Sequence, residues 1–205
     1  MELNTYPLVC TRGVVLYPNQ EIVIDVGRDT SVHAVENAQD NYDKKICLFS
    51  QKELEQENPG KEDIYSVGTL CEVRHIRRFD NFLRVKFRGI KRVKLNNWIN
   101  GSLSDLAEVE ILESEKQDAV EEEALIRMIA DELDRMQGQD RFVTKEIVME
   151  ISKGMGGEFL SDKAVQGLPL DIERKQQYLE TLGVNDRLMM LLQDMAKEKK
   201  MSEVE

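Results

Sequence analysis

Residue types that could support catalysis occur in this sequence, but their spacing does not match known catalytic arrangements. The only Gly-Lys pair, Gly60-Lys61, is followed by Glu62, so it does not form a nucleotide-binding loop of the GxxxxGK[ST] type. The glycine-rich stretch 154–157 lies between two predicted helices, whereas a phosphate-binding loop follows a strand. We therefore interpret it as a connecting loop. No GxSxG or HExxH motif is present.

Histidines and clustered carboxylates also give no catalytic or metal-binding pattern. His33 and His75 are isolated from one another and from any cysteine at zinc-ligand spacing. The glutamates at 121–123 are adjacent on a predicted helix, so their side chains point in different directions. We therefore interpret them as solvent-exposed residues and not as an acid–base pair. We expect no catalytic residue, no metal site and no cofactor on this chain.

Positive charge is concentrated in residues 67–95, which contain nine Lys or Arg and two Asp or Glu in a chain of net charge −11. Residues 83–88 alternate apolar and basic, a period of two that places the cations on one face of a strand. Two interpretations stay open: a solvated sheet face that discourages aggregation, or a patch for nucleic acid or an acidic partner. The basic face consists of Arg74, Arg77, Arg78, Arg84, Lys86 and Arg88.

Apolar residues at two predicted turns form the other candidate site. Phe79 and Phe82 flank the Asp80-Asn81 pair, whose residue types favour a tight hairpin. Such side chains either pack under a neighbouring loop or form an exposed patch that binds apolar segments of another protein. The second interpretation gives a candidate substrate-binding set, which consists of Tyr17, Pro18, Phe79, Phe82 and Leu83.

The composition indicates a globular protein with a core of its own. Of 205 residues, 41% are hydrophobic and 33% are charged. The net charge and a pI of 4.9 argue against bulk affinity for nucleic acid or anionic membranes. The three cysteines form no CxxC pair and lie in apolar surroundings, as buried thiols of a reducing compartment do. The sequence has no signal-peptide pattern and no apolar run near the roughly 20 residues of a membrane span, so we predict a cytoplasmic protein.

The first half of the chain carries strand patterns. A turn is predicted at Gly89, and a short helix is predicted over 28–40 with Asp29 or Thr30 as its cap. The strand-like segments are 6–18, 21–26, 45–50, 70–76, 83–88, 90–95 and 106–112.

From about Glu113 the apolar period changes to 3.6 residues, which predicts helices. Asp171 and Asn185 are predicted caps of the last two helices. The helical segments are 118–136, 144–153, 159–168, 172–182 and a final segment from Asn185. The predicted fold class is therefore α+β, with a β-rich domain over 1–113 and an all-α helical bundle over 118–205.

Several segments resemble the N-terminal domain of the Lon family of ATP-dependent proteases. Residues 6–9 (YPLV) with 14–18 (VVLYP) resemble the opening strand of that domain. Residues 63–69 (DIYSVGT) and 168–170 (LPL) are similar in order and spacing to later parts of it. The resemblance extends over nearly the whole chain. This chain departs from the family at the first turn, where Gly13 replaces a usual acidic residue and Asn19 a usual Gly.

The resemblance implies a PUA-like β pseudo-barrel followed by a helical bundle. It implies the non-catalytic N-terminal domain of a Lon-type ATP-dependent serine protease, which recognises unfolded or damaged proteins and supports a hexamer of Lon subunits. ATP and Mg²⁺ would bind only to an ATPase module that this sequence lacks, as it lacks the Ser-Lys dyad, so we expect no hydrolysis by this chain. The alternative is a stand-alone PUA-like module that binds nucleic acid or acts as an adaptor.

Overall fold

The computed structural model describes residues 3–136 and 145–204. By contacts, the chain separates into two compact units, of which the first contains the sheet and the second is helical. The first unit comprises 1–113 with 171–179, and the second comprises 114–170 with 180–205. The domain boundaries drawn from the sequence stay a prediction; the units differ from them because 171–179 belong with the sheet.

Within the described residues, six strands form one sheet in the order β2-β5-β4-β3-β1-β6. Strand β5 also pairs with β6, so β5, β4, β3, β1 and β6 form a ring of paired strands, and β2 pairs with β5 alone. All pairs are antiparallel except β1 with β3. The strands are β1 Leu3–Thr11, β2 Glu21–Val26, β3 Lys45–Ser50, β4 Val67–Arg78, β5 Leu83–Ile99 and β6 Leu106–Leu112.

The predicted turn at Gly89 is wrong, because β5 continues through this residue. The loop that follows Pro18 lies against it: Asn19 N–H donates to the Gly89 carbonyl at 2.9 Å, and Gly89 N–H donates to the Gln20 carbonyl at 2.9 Å. A side chain at Gly89 would overlap the backbone of Tyr17. Glycine is thus required for close backbone approach and not for a turn.

The helices follow the predicted pattern with shifted ends. They are α1 Asp29–Asn41, α2 Ala119–Met136, α3 Lys145–Ser152, α4 Gly157–Gly167, α5 Ile172–Glu180 and α6 Val184–Ser202, with a 3₁₀ turn at Lys61–Asp63. The predicted first residue of α3, Thr144, lies outside the described residues. Asp171 is confirmed as a cap, since it accepts from the Arg174 N–H at 2.7 Å. The other predicted caps are wrong: α1 starts after Arg28 and α6 after Gly183, both without a side-chain cap.

Alternation along the strands builds the core of the first unit on both faces of the sheet. On β1, Val9 joins one buried cluster while its neighbours Leu8 and Cys10 join the other. The first cluster also contains Ala34 and Val35 of α1, so this helix covers one face. This is the arrangement that a period of two requires when both faces are buried.

Segment 171–179 is held in the first unit by hydrogen bonds to backbone carbonyls. Arg92, which is 2% exposed, donates to the carbonyls of Tyr178 at 3.3 Å and Leu179 at 2.9 Å. The Tyr17 hydroxyl donates to the Lys175 carbonyl at 2.7 Å. The two bonds from Arg92 satisfy carbonyls at the end of α5 that have no partner within the helix, whereas the Lys175 carbonyl accepts from Tyr17 in addition to its partner four residues further along the helix.

In the second unit, α2 and α4 pack against α6. Leu125, Ile129 and Leu133 of α2 are buried, as the helical period predicts. The glycine-rich stretch 154–157 joins α3 to α4 and ends on the first residue of α4, which confirms its interpretation as a connecting loop. Its last residue, Gly157, donates its N–H to Glu122 at 3.0 Å, and a side chain there would meet Leu188.

Candidate functional site

The loop that joins β4 to β5 is the tight hairpin that the sequence predicts, and it presents two stacked phenylalanines. Phe79 N–H donates to the Phe82 carbonyl at 2.9 Å, which closes the turn. The two rings lie 4.6 Å apart between centroids with an interplanar angle of 11°. Phe79 is 36% exposed and Phe82 is half-buried. We call Phe79 and Phe82 the hairpin tip.

Two guanidinium groups hold the rings of the hairpin tip in place. Arg77 lies 5.0 Å from the Phe79 centroid, and Arg84 lies 5.3 Å from Phe79 and 5.7 Å from Phe82. Each such contact at an exposed site contributes about 0.5–1 kcal/mol. The stack is therefore a fixed apolar surface, so a partner that binds it does not have to order the two side chains first.

The other three residues of the candidate substrate-binding set are buried, which corrects the prediction of one exposed patch. Tyr17 is 0% exposed and Leu83 is 4% exposed, and Pro18 is buried as well. Tyr17 faces segment 171–179, while Leu83 points into the sheet core beside α1. The structure therefore leaves Phe79 and Phe82 accessible, and their binding role stays a prediction.

The side chains of the basic face are accessible but largely paired with carboxylates. In the described part of the chain, five of the six have a carboxylate within 4.0 Å, and Arg77 instead contacts Phe79. The carboxylates of Glu21 and Asp25 come from β2, which lies beside β5. Arg84 binds both carboxylate oxygens of Asp25, at 2.7 and 3.0 Å, and these hydrogen bonds hold the pKa of Asp25 below its ordinary value.

Strand β2 therefore neutralises much of a face that looks strongly basic in the sequence. Its alternation of Glu21, Val23 and Asp25 places these three side chains beside the cations of β5. Val23, 57% exposed, is an apolar position on this face that the sequence reasoning did not single out. The alternation of residues 21–26 in the sequence predicts which side chains of β2 share a face. It does not predict the register in which β2 pairs with β5.

Sequence reasoning also did not single out Arg12 and Arg28. Both lie in turns and line a cleft between β1 and β2. Each follows or precedes a glycine, which marks a turn but gives no sign that the two guanidinium groups share one cavity. Among the described residues, no group of three or more His, Cys, Asp or Glu side chains is placed to hold a metal ion.

The fold is that of known Lon N-terminal domains. A solved structure described as the N-terminal domain of a Mycobacterium avium complex Lon protease superimposes with a TM-score of 0.76 at 19% identity, and the match covers 94% of this chain and 98% of that one. A Lon N-terminal domain protein from Xanthomonas campestris gives a TM-score of 0.63 at 16% identity, covering 92% and 97%.

Sequence comparison identifies the family. The family model for the substrate-binding domain of ATP-dependent protease La (LON) matches residues 5–197, and the chain belongs to this family. A Lon protease of Syntrophomonas wolfei is 33% identical over 208 residues, and one of Brevibacillus choshinensis is 31% identical over 200 residues. These matches cover 100% and 97% of this chain but 26% of each relative, so the chain spans about a quarter of their length.

The resemblance seen in the sequence is thereby confirmed: the chain is a Lon N-terminal substrate-binding domain, related to full-length Lon proteases. None of the helices among the described residues is both long enough and apolar enough to cross a membrane.

Proposed function

We propose that this chain captures exposed apolar segments of unfolded or damaged proteins and delivers them to an ATP-dependent protease. The observation that carries this proposal is the hairpin tip, a stacked and accessible aromatic pair on a protein of the Lon substrate-binding family. Aromatic side chains that are already held in place bind apolar partners at low cost in conformational entropy. The capture is reversible because the surface is small.

Replacing Phe79 and Phe82 by Ser tests this role. Removing two aromatic contacts is expected to weaken binding of a reduced and alkylated, permanently unfolded protein at least about tenfold. The variant should keep the circular dichroism spectrum of the original chain, because the tip lies outside both core clusters, although loss of the three guanidinium–ring contacts lowers its unfolding midpoint. Leu103→Ser is the matched control, since it removes another exposed apolar side chain of the same unit. Equal binding by the Phe79/Phe82 variant and the original chain would refute the proposal.

Catalysis would belong to other parts of the full-length protease. We propose that this chain binds neither ATP nor Mg²⁺ and hydrolyses neither ATP nor peptides, which follows from the lack of a nucleotide-binding loop and a Ser-Lys dyad in its sequence. A cytoplasmic location is supported by the three buried, unpaired cysteines, which are typical of a reducing compartment.

We also propose that the chain supports assembly of Lon subunits into a hexamer and that its sheet is a PUA-like pseudo-barrel. The ring of paired strands supports the second point. Exposed Met128 and Met189 on the second unit support the first, since adaptable methionines suit protein interfaces. Light scattering of a chain that carries Met128→Ser and Met189→Ser, within the full-length protease, would test it.

Binding of nucleic acid through the basic face is the weaker alternative. The carboxylates of β2, β4 and α1 already pair with five of its six cations in the described structure. Phosphate binding would have to displace them. If the alternative held, RNA or DNA would bind at low salt with an affinity that falls steeply as salt rises.

A further inference from the structure

A cleft of about 390 Å³ lies in the first unit between β1 and β2. From Leu8 onward β1 pairs only with β3, and β2 pairs only with β5, so among the described strands these two edges face the cleft without pairing across it. The cleft is lined by apolar side chains of both strands, namely Val9, Ile24 and Val26. It is a place where an extended segment of another chain can lie.

Two arginines stand together at this cleft. Arg28 donates to the Cys10 carbonyl at 2.6 Å and to the Gln51 side chain at 2.7 Å. It also donates to the Glu57 carbonyl at 3.2 Å, and Arg12 donates to the carbonyl of the preceding residue, Gln56, at 3.3 Å. Because successive residues are only about 3.8 Å apart, these bonds place the two guanidinium groups side by side.

The part of the chain that the structure describes does not neutralise the charge of these two arginines. Among the described residues, no carboxylate lies within 4.0 Å of either guanidinium group, although the chain carries a net charge of −11. The one carboxylate that lines the cleft, Asp25, is bound by Arg84 through both oxygens. Partial burial, together with the charge of Arg12, lowers the pKa of Arg28, as expected for adjacent cations without an anion.

Other acidic residues lie near Arg28 but belong to a separate cavity. Glu57 and Asp105 line a smaller cavity of about 180 Å³, which Arg28 also borders. Neither forms an ion pair with Arg28, because their carboxylates are more than 4.0 Å away. The two cations and the apolar walls therefore suit this cleft to bind an anion that is attached to an apolar chain.

We propose that this cleft binds the carboxylate of an extended acidic peptide segment between Arg12 and Arg28. The proposal rests on the proposed function, because the peptide would be part of a protein substrate. Apolar walls favour a peptide over an inorganic anion. Arg28 uses three of its five N–H donors within the chain, so a carboxylate can accept from its remaining donors and from Arg12. Gly27, at the end of the cleft, packs beside Phe82, so one bound segment can contact the cleft and the hairpin tip together.

Binding of three labelled peptides tests this site by fluorescence anisotropy with the whole chain. The first is a nine-residue peptide with an amidated C-terminus and a central Glu among Val and Phe residues. The second carries Gln instead of Glu, and the third is the Gln peptide with a free C-terminal carboxylate. We expect the Glu peptide to bind about tenfold more tightly than the amidated Gln peptide, the scale of one charge-assisted hydrogen bond. If only the third peptide binds more tightly, the cleft binds a terminal carboxylate and not the side-chain carboxylate of an acidic segment.

Arg12→Gln is the decisive variant, because Arg12 is exposed and, within the described residues, it donates a single hydrogen bond to the Gln56 carbonyl, so the fold should persist. It is expected to abolish the preference for a carboxylate. Arg74→Gln, which removes the same charge from the same unit, is the matched control and should keep the preference. Arg28→Lys should reduce it, because Lys has three N–H donors and cannot keep the three hydrogen bonds of Arg28 while donating to a peptide carboxylate.

The proposal is overturned if the carboxylate and amide peptides bind equally, if the preference survives Arg12→Gln, or if Arg74→Gln removes it equally. Displacement of the Glu peptide by millimolar inorganic phosphate would also overturn it in favour of a general anion site. The Phe79/Phe82 variant separates this site from the proposed function, since it should weaken the Glu and Gln peptides alike and leave their ratio unchanged.

Discussion

The hydrogen bond from Tyr17 to Lys175 offers a test of whether Tyr17 is structural. Replacing Tyr17 by Phe removes the hydroxyl that donates to the Lys175 carbonyl at 2.7 Å and keeps the buried ring. A typical hydrogen bond contributes about 0.5–1.5 kcal/mol, and the Lys175 carbonyl keeps its N–H partner within α5 when the hydroxyl is removed. We therefore expect the free energy of unfolding to fall by about 0.5–1.5 kcal/mol.

Urea unfolding followed by circular dichroism measures this loss, and the slope against urea should not change. Tyr42→Phe is the matched control. Tyr42 is half-buried and no hydrogen bond of its hydroxyl occurs within the described structure, so its loss should change the free energy of unfolding by less than about 0.5 kcal/mol. Binding of the unfolded protein, measured in parallel, should be the same for the Tyr17 variant as for the original chain.

Two results would show that this reasoning is wrong. If Tyr17→Phe and Tyr42→Phe had equal stability, the bond to Lys175 would contribute nothing. If Tyr17→Phe stayed stable but lost affinity for the unfolded protein, Tyr17 would be a binding residue, as its position in a predicted turn first indicated.

The remaining predictions concern the strand β5 and the buried thiols. Gly89→Ala should destabilise the chain by more than about 2 kcal/mol in urea unfolding, because the added methyl group meets the Tyr17 backbone; a neutral effect would contradict the close approach. Burial raises the pKa of Cys10 from its ordinary value of 9.0 to about 12, and it also raises those of Cys47 and Cys71. Alkylation by iodoacetamide at pH 8 should therefore be slow until urea unfolds the chain, and rapid labelling of the folded chain would count against burial. Because folded Cys10 keeps a proton that the unfolded chain releases above pH 9, the free energy of unfolding should fall from about pH 9 towards 12, and Cys10→Ala should reduce this fall.

The elements of the fold were largely readable from local patterns. Alternation over 83–88 and the Asp80-Asn81 pair predicted the β4–β5 hairpin, and the structure places Phe79 and Phe82 at its tip. Asp171 predicted the start of α5 because a cap acts on backbone groups within three residues. The turn predicted at Gly89 is wrong because this glycine is required by a contact that is distant in sequence. Gly89 lies against Asn19, which is 70 residues earlier in the chain.

The candidate site was predicted only in part, for the same reason. Phe79 and Phe82 are accessible because their turn projects from the sheet, a local property. Tyr17 occupies an equally turn-like position, but segment 171–179 covers it. The Tyr17 hydroxyl donates to the carbonyl of Lys175, which lies 158 residues further along the chain. No pattern around Tyr17 carries that information.

By itself, the sequence determined the α+β class, the hairpin and the membership in the Lon family, because periodicity, turn residues and ordered segments are local or collinear signals. Only the tertiary structure decided which side chains stay exposed and which charges stay unpaired. Arg84 has its carboxylate because β2 pairs in one register with β5, whereas Arg12 and Arg28 have none among the described residues, since their cleft brings no free carboxylate close. Burial and ion pairing depend on residues that are distant in sequence, and packing alone brings these together.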